Sequence, residues 1–225
     1  MEFTFEKIAS NMYLFTFDTR YNLCMTFVRL IEFNVVPESR FCNQYFTLEE
    51  FMDWYSLERS DKSSEQYFTY PIDNSGFNVY GKDFLLWYRY FKNNLGKKEK
   101  MAFKNILKLD RKEIQKSYFI AIYKGRGMRS TLNHEKAHTY YAENKDYRRK
   151  VHKLIRQLTK EEKAVLIKKL KKEEYLNEVI NEEMNAYIAT GGHRNIPTGH
   201  ISNRKEFIKL FKEMNNAENK KSAQA

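Results

Sequence analysis

The residues whose types and spacing most clearly suggest catalytic chemistry form the segment His134-Glu135-Lys136-Ala137-His138. On an α-helix, residues four positions apart lie on one face, so His134 and His138 can direct imidazole nitrogens at one metal ion. Glu135 is rotated from His134 by about 100°, close enough to hydrogen-bond a water on that ion without binding the ion itself. A metal ion lowers the pKa of such a water, and a neighbouring carboxylate can accept its proton. The spacing therefore predicts a hydrolytic metal centre with Glu135 as the general base.

The elements that must position this segment can also be read from the sequence. Residues 117–124 (SYFIAIYK) are β-branched and aromatic and have the length of one strand. A basic glycine loop, GRGMRS, follows, and Ser130 or Thr131 then caps a helix that runs through the two histidines. A strand, a loop and a capped helix in succession favour a built site over the alternative, two solvent-facing histidines on a charged helix.

With this context the segment resembles the zincin metallopeptidases, in which an H-E-x-x-H helix follows a strand at the upper edge of the substrate cleft. The resemblance covers residues 117–192 and implies that the bound ion is Zn²⁺. It also implies that residues 117–124 form an edge strand with which an extended peptide substrate pairs. The metzincin extension of the motif is absent, because positions 141 and 144 are Tyr and Asn.

A gluzincin takes its third zinc ligand from a Glu on a later helix, often in an E-x-x-A-Y context, and this chain has the matching run EMNAY from Glu183. Helical periodicity places Glu183 on an apolar stripe with Ile180 and Tyr187, whereas Glu182 falls on the polar side. A carboxylate on an apolar stripe needs a partner because burial of an unpaired charge is costly; a metal ion would be one, and a Lys or Arg is the alternative. The predicted zinc ligands are therefore His134, His138 and Glu183.

A hydrolytic site also needs a hydrogen-bond donor for the negative charge that develops on the former carbonyl oxygen. Tyr187 lies one turn from Glu183 and is the predicted catalytic donor, with a place in the core as its alternative role. Tyr140, Tyr141 and His193 are further candidates that the sequence does not separate.

Two predicted helices separate the motif helix from the glutamate helix. Residues 145–172 contain twelve Lys and Arg against three acidic residues, and a capping box from Thr159 to Glu162 begins the second helix. We interpret this basic helical hairpin as an insert. Such a surface is commonly just solvated, but it could also dock nucleic acid, an acidic protein or an anionic membrane surface.

Composition divides the chain into two regions. Residues 1–110 carry 14 Lys and Arg against 15 Asp and Glu and contain 25 of the 35 aromatic residues, whereas residues 111–225 carry 26 against 14. Two cysteines exclude a fold built on disulfides. No apolar stretch approaches the roughly 18 residues of a membrane span, and the N-terminus lacks the apolar core of a secretory signal. We therefore expect an intracellular, cytoplasmic protein.

The predicted fold class is α+β. We expect an aromatic-rich α/β lobe over residues 1–110, with most of the rings in its core, and a mainly helical zincin-like lobe over residues 111–215. A disordered tail is predicted for residues 216–225, where hydrophobicity is low. The predicted function is that of a zinc-dependent metallopeptidase. The alternative is a non-catalytic binding module whose basic helices dock nucleic acid or an acidic protein partner.

Overall fold

A computed structural model describes residues 1–34, 40–58, 67–173, 175–191 and 195–223. They form an α+β structure of two compact units, Met1–Met128 and Arg129–Ala225. The strands are β1 (Phe3–Ala9), β2 (Met12–Phe17), β3 (Gly76–Tyr80) and β4 (Tyr118–Tyr123). The α-helices are α1 (Arg20–Asn34), α2 (Leu48–Glu58), α3 (Tyr70–Asp73), α4 (Gly81–Phe91), α5 (Lys97–Phe103), α6 (Arg111–Lys116), α7 (Met128–Glu143), α8 (Lys145–Gln157), α9 (Lys160–Lys172), α10 (Ile180–Thr190) and α11 (Arg204–Ala223).

The first unit contains one mixed sheet with the strand order β1-β2-β4-β3. β1 and β2 are antiparallel, β2 and β4 are parallel, and β4 and β3 are antiparallel. Aromatic side chains fill the core of this unit, as the sequence predicts; the Phe27 ring, for example, meets Phe15 at 5.6 Å and Phe103 at 5.3 Å between centroids. Neighbouring rings at such distances contribute beyond the area that they bury.

The prediction that residues 117–124 form an edge strand is wrong. Both sides of β4 are occupied by strands of this chain, so a peptide cannot pair with it. Its run YFIAIY is buried from Tyr118 to Ile122, which is the pattern of a strand covered on both faces. The strand also belongs to the first unit, because the boundary between the units follows Met128 rather than residue 110.

The second unit is helical, and α10 lies at its centre, packed against α8, α9 and α11. The two predicted helices of the basic hairpin are present as α8 and α9. The capping box is confirmed: the Glu162 amide donates to Thr159 Oγ1 at 3.1 Å, and the Thr159 amide donates to Glu162 Oε2 at 2.8 Å. Among the described residues, no helix combines the length and the apolar character needed to cross a bilayer.

The predicted disorder of residues 216–225 is contradicted as far as Ala223, where α11 ends. Polar side chains dock this end of the helix: Asn215 accepts a hydrogen bond from the Tyr140 hydroxyl at 3.0 Å, and Glu218 is buried. Low hydrophobicity gave the wrong expectation because α11 continues into this segment with a buried polar side chain, Glu218, whereas the other side chains from Asn216 to Lys221 are exposed. Residues 224–225 lie outside the described part of the chain.

Candidate metal centre

Helix α7 presents both motif histidines on one face. The Nε2 atoms of His134 and His138 lie 3.1 Å apart, and the two rings meet edge to face with their centroids 4.8 Å apart. The four-residue spacing accounts for this arrangement, because one helical turn stacks the two side chains.

Glu183 of α10 joins the two histidines. Its Oε2 lies 3.7 Å from His134 Nε2, and its Oε1 lies 3.6 Å from His138 Nε2. A tetrahedral ion with ligands at about 2.1 Å separates neighbouring ligand atoms by about 3.4 Å. The separation of the two histidine nitrogens lies within a few tenths of an ångström of that value, whereas Glu183 approaches the two histidines with different oxygens. With one ligand atom from each residue, the three atoms lie within 4.8 Å of one another, so side-chain rotation would bring them around one ion. Among the described residues, these three side chains form the one group of His, Cys, Asp and Glu with the geometry to share a metal ion.

The charges of the cluster also call for a cation. Glu183 and Glu135 are both buried, and burial raises the pKa of each carboxyl to about 7. Within the described residues, Glu183 Oε2 accepts no hydrogen bond. Burial of an ionised carboxylate is costly unless a positive charge is supplied. A divalent cation bound between Glu183 and the two imidazoles would supply it.

His138 holds a proton tightly when no cation is bound. Burial alone lowers the pKa of His138, but the carboxylates of Glu183, Glu182 and Glu135 together outweigh burial and raise that pKa to about 10. A metal ion binds the neutral imidazole, so proton and metal compete for the same ring.

Glu182 contacts the other nitrogen of the same ring, with Glu182 Oε1 at 2.8 Å from His138 Nδ1. A carboxylate in this position accepts a hydrogen bond from Nδ1–H and so fixes the tautomer that leaves Nε2 free for a metal. The prediction that Glu182 faces water is therefore wrong. Adjacent residues on α10 point about 100° apart, and the His138 ring lies between the two carboxylates. Sequence analysis did not predict this role. The feature of the sequence that could have indicated it is the pair of adjacent glutamates, Glu182 and Glu183.

Glu135 lies near the cluster without belonging to the ligand group. The charges of His138 and Glu183 both shift its pKa, after the larger effect of burial. A divalent cation bound beside Glu135 would lower this pKa and keep the carboxylate ionised, which is the form that can accept a proton as a general base.

Tyr187 contacts the cluster through its ring, which packs edge to face on His134 with centroids 4.6 Å apart. Its hydroxyl lies 3.0 Å from the hydroxyl of Tyr175, a residue that sequence analysis did not select. Burial raises the pKa of Tyr187 to about 12, so the phenol keeps its proton at neutral pH.

The other candidate donors differ from Tyr187. The Tyr140 hydroxyl donates to Asn215, and the Tyr141 hydroxyl lies 2.7 Å from His152 Nε2. Both hydroxyls are engaged by other side chains, as that of Tyr187 is, and the difference is that the ring of Tyr187 packs on His134. His193 lies outside the described residues.

The first prediction concerns metal content. Purified protein should bind about one equivalent of zinc, as expected for a single three-ligand site. His134→Ala and His138→Ala should each abolish this binding, because each removes a ligand. Metal analysis after dialysis measures the stoichiometry. Full zinc content in either variant would exclude the site.

The second prediction separates the two glutamates of α10. Glu183→Ala should weaken zinc binding most, because the site loses its anionic ligand. Glu182→Ala should weaken it by about 10- to 100-fold, as expected for the loss of a carboxylate that orients a ligating histidine. Chelator competition measures both affinities, with the exposed Glu178 changed to Ala as the control. Unchanged affinity in the Glu182 variant would contradict the orienting role.

Comparisons with protein-family models, with curated proteins and with solved structures found no match to this chain. Support for a function therefore comes from the geometry of the metal centre and from the sequence motif that forms it.

Proposed function

We propose that this protein is a zinc-dependent metallopeptidase, a hydrolase that cleaves a peptide bond in a peptide or protein substrate. The observation that carries the proposal is the convergence of His134, His138 and Glu183, whose ligand atoms lie within 4.8 Å of one another and could share one ion. Two imidazoles and a carboxylate are a typical zinc ligand set. Three protein ligands leave a coordination position for a substrate or water, which distinguishes catalytic sites from structural zinc sites.

Each residue of the centre has a chemical role in this proposal. Zinc would supply Lewis acidity, which polarises a carbonyl and brings the pKa of water to about 7. Glu135 accepts a proton from the attacking water and delivers it to the leaving amine nitrogen as the C–N bond breaks. Tyr187 donates a hydrogen bond to the oxygen on which negative charge develops. Glu182 keeps the His138 ring in its ligating orientation.

The choice of a peptide substrate depends on the resemblance of the motif to the zincins, combined with a Glu ligand from a later helix as in the gluzincins. The internal position of β4 removes the edge strand that this resemblance implied for substrate pairing.

We place the protein inside the cell, because both cysteines are free thiols, as is usual in a reducing compartment.

A second candidate function is a binding module that uses the basic helices α8 and α9. Asp146 forms ion pairs with Arg149 and Lys150 at 2.6 and 2.9 Å. Within the described residues, the other exposed cations of these helices form no ion pairs. Those residues are Lys145, Lys153, Arg156, Lys160, Lys168, Lys169, Lys171 and Lys172. Such a surface is suited to nucleic acid or an acidic protein partner.

The third prediction tests the peptidase. Glu135→Gln should keep zinc at the wild-type stoichiometry, because Glu135 is not a ligand. The same variant should lose at least about a hundredfold in turnover, because the general base is gone. Fluorescence-labelled casein and a peptide library provide the substrates, with zinc content measured on the same samples. Turnover at the wild-type rate in this variant would rule out the proposed mechanism.

The fourth prediction tests the basic helices. Wild-type protein should bind duplex DNA or polyglutamate with an affinity that falls as salt rises, because binding would release counterions. Replacing Lys153, Arg156 and Lys168 by Gln should weaken binding severalfold. The control replaces three exposed lysines of α11, Lys205, Lys209 and Lys212, by Gln for the same change in charge. Fluorescence anisotropy at several salt concentrations measures both; no binding to either probe would exclude the module.

A further inference from the structure

Two phenol hydroxyls meet beside the metal centre. The oxygens of Tyr175 and Tyr187 lie 3.0 Å apart, and the rings are edge to face. The Tyr187 ring also contacts the ring of His134. The carboxylates of Glu183 and Glu135 both act electrostatically on the two phenols, so the hydroxyl pair shares the environment of the ligand group.

The hydrogen bond between the two tyrosine hydroxyls leaves one hydroxyl proton unused. Each phenol carries one hydroxyl proton, and the hydrogen bond between them uses only one of the two. Within the described part of the chain, neither hydroxyl has another hydrogen-bond partner. One O–H is therefore available to an acceptor from outside the chain, either water or an oxygen of a bound molecule.

Either hydroxyl can be the donor in this pair, and we take the arrangement that leaves the free proton on the tyrosine whose ring contacts His134. Tyr187 is the residue whose ring contacts a metal-site histidine, whereas Tyr175 contacts Tyr187. If Tyr175 donates to Tyr187, the Tyr187 proton is the free one. A hydroxyl that accepts a hydrogen bond is polarised into a stronger donor, because consecutive hydrogen bonds reinforce one another.

We propose that Tyr175 is a positioning residue: its hydroxyl donates to that of Tyr187 and so holds and polarises the donor that the proposed function assigns to Tyr187. This inference rests on the proposed function, because the ligand must reach the metal. It adds to that function a second tyrosine that acts on the ligand only through Tyr187.

The test uses acetohydroxamate, which binds metals through two oxygens, on protein loaded with Co²⁺ in place of zinc. The visible spectrum of Co²⁺ reports binding of the probe without any need for a substrate. Tyr187→Phe should weaken binding of the probe by about tenfold, the size expected for one hydrogen bond. Tyr175→Phe should weaken it severalfold, and the double variant should bind no more weakly than Tyr187→Phe alone.

Tyr141→Phe is the matched control, because it removes a hydroxyl from the same unit that is already engaged by His152. This variant should bind the probe like the wild type. Both phenylalanine variants at the site keep their rings, and metal affinity, which should not change in either, shows that the ligand group remains intact.

The outcomes separate the two proposals. Wild-type probe affinity in Co²⁺-loaded Tyr187→Phe would overturn the donor role, and fully multiplicative effects of the two substitutions would overturn the positioning role of Tyr175. Both results would leave the peptidase proposal standing. If the wild-type protein takes up no Co²⁺ or Zn²⁺, the proposed function fails and this inference fails with it.

Discussion

The candidate metal centre depends on the balance of charge among two imidazoles and three carboxylates, two of which are buried. Glu183 and Glu135 are both buried, and Glu182 lies against the same histidine as Glu183. Protons can reduce this negative charge, and the pKa values of Glu135, His138 and Glu183 are raised because the cluster favours binding of protons. A bound divalent cation would neutralise the same negative charge while all the carboxylates stay ionised. Binding of such a cation would explain why an acidic residue lies on an apolar helix face.

Helix α10 carries the side chains that contact the two histidines. Two consecutive residues, Glu182 and Glu183, reach two different nitrogens of His138, and Tyr187 lies one turn further along, against His134. The helix is held by its packing on α8, α9 and α11, and a hydrogen bond of 3.1 Å from the Tyr147 hydroxyl to Asn185 ties it to α8. A site carried by packed helices keeps its side chains in place better than one carried by loops.

Sequence analysis could place the residues whose relative positions follow from the repeat of the α-helix. The four-residue spacing placed His134 and His138 together, and the apolar stripe placed Glu183 toward them. The position of β4 was not predictable, because a buried apolar run reads the same at the edge or the centre of a sheet until its neighbours are known. The contact of Glu182 depends on where the His138 ring lies relative to α10, which is a tertiary property. Tyr175 precedes α10 and enters the site through its hydroxyl contact with Tyr187, for which no sequence period exists.

The use of adjacent residues on opposite sides of one imidazole has a consequence for how this chain tolerates changes in length. Losing one residue within α10 ahead of Glu182 would turn both carboxylates about the helix axis by about 100° relative to the residues before the deletion. The ligating and the orienting carboxylate would then be misplaced together, and the histidine would lose contacts at both nitrogens. The turn at Leu158 and Thr159, between α8 and α9, carries no residue of the metal centre. Variation in chain length is therefore compatible with the chemistry at that turn and incompatible with it inside α10.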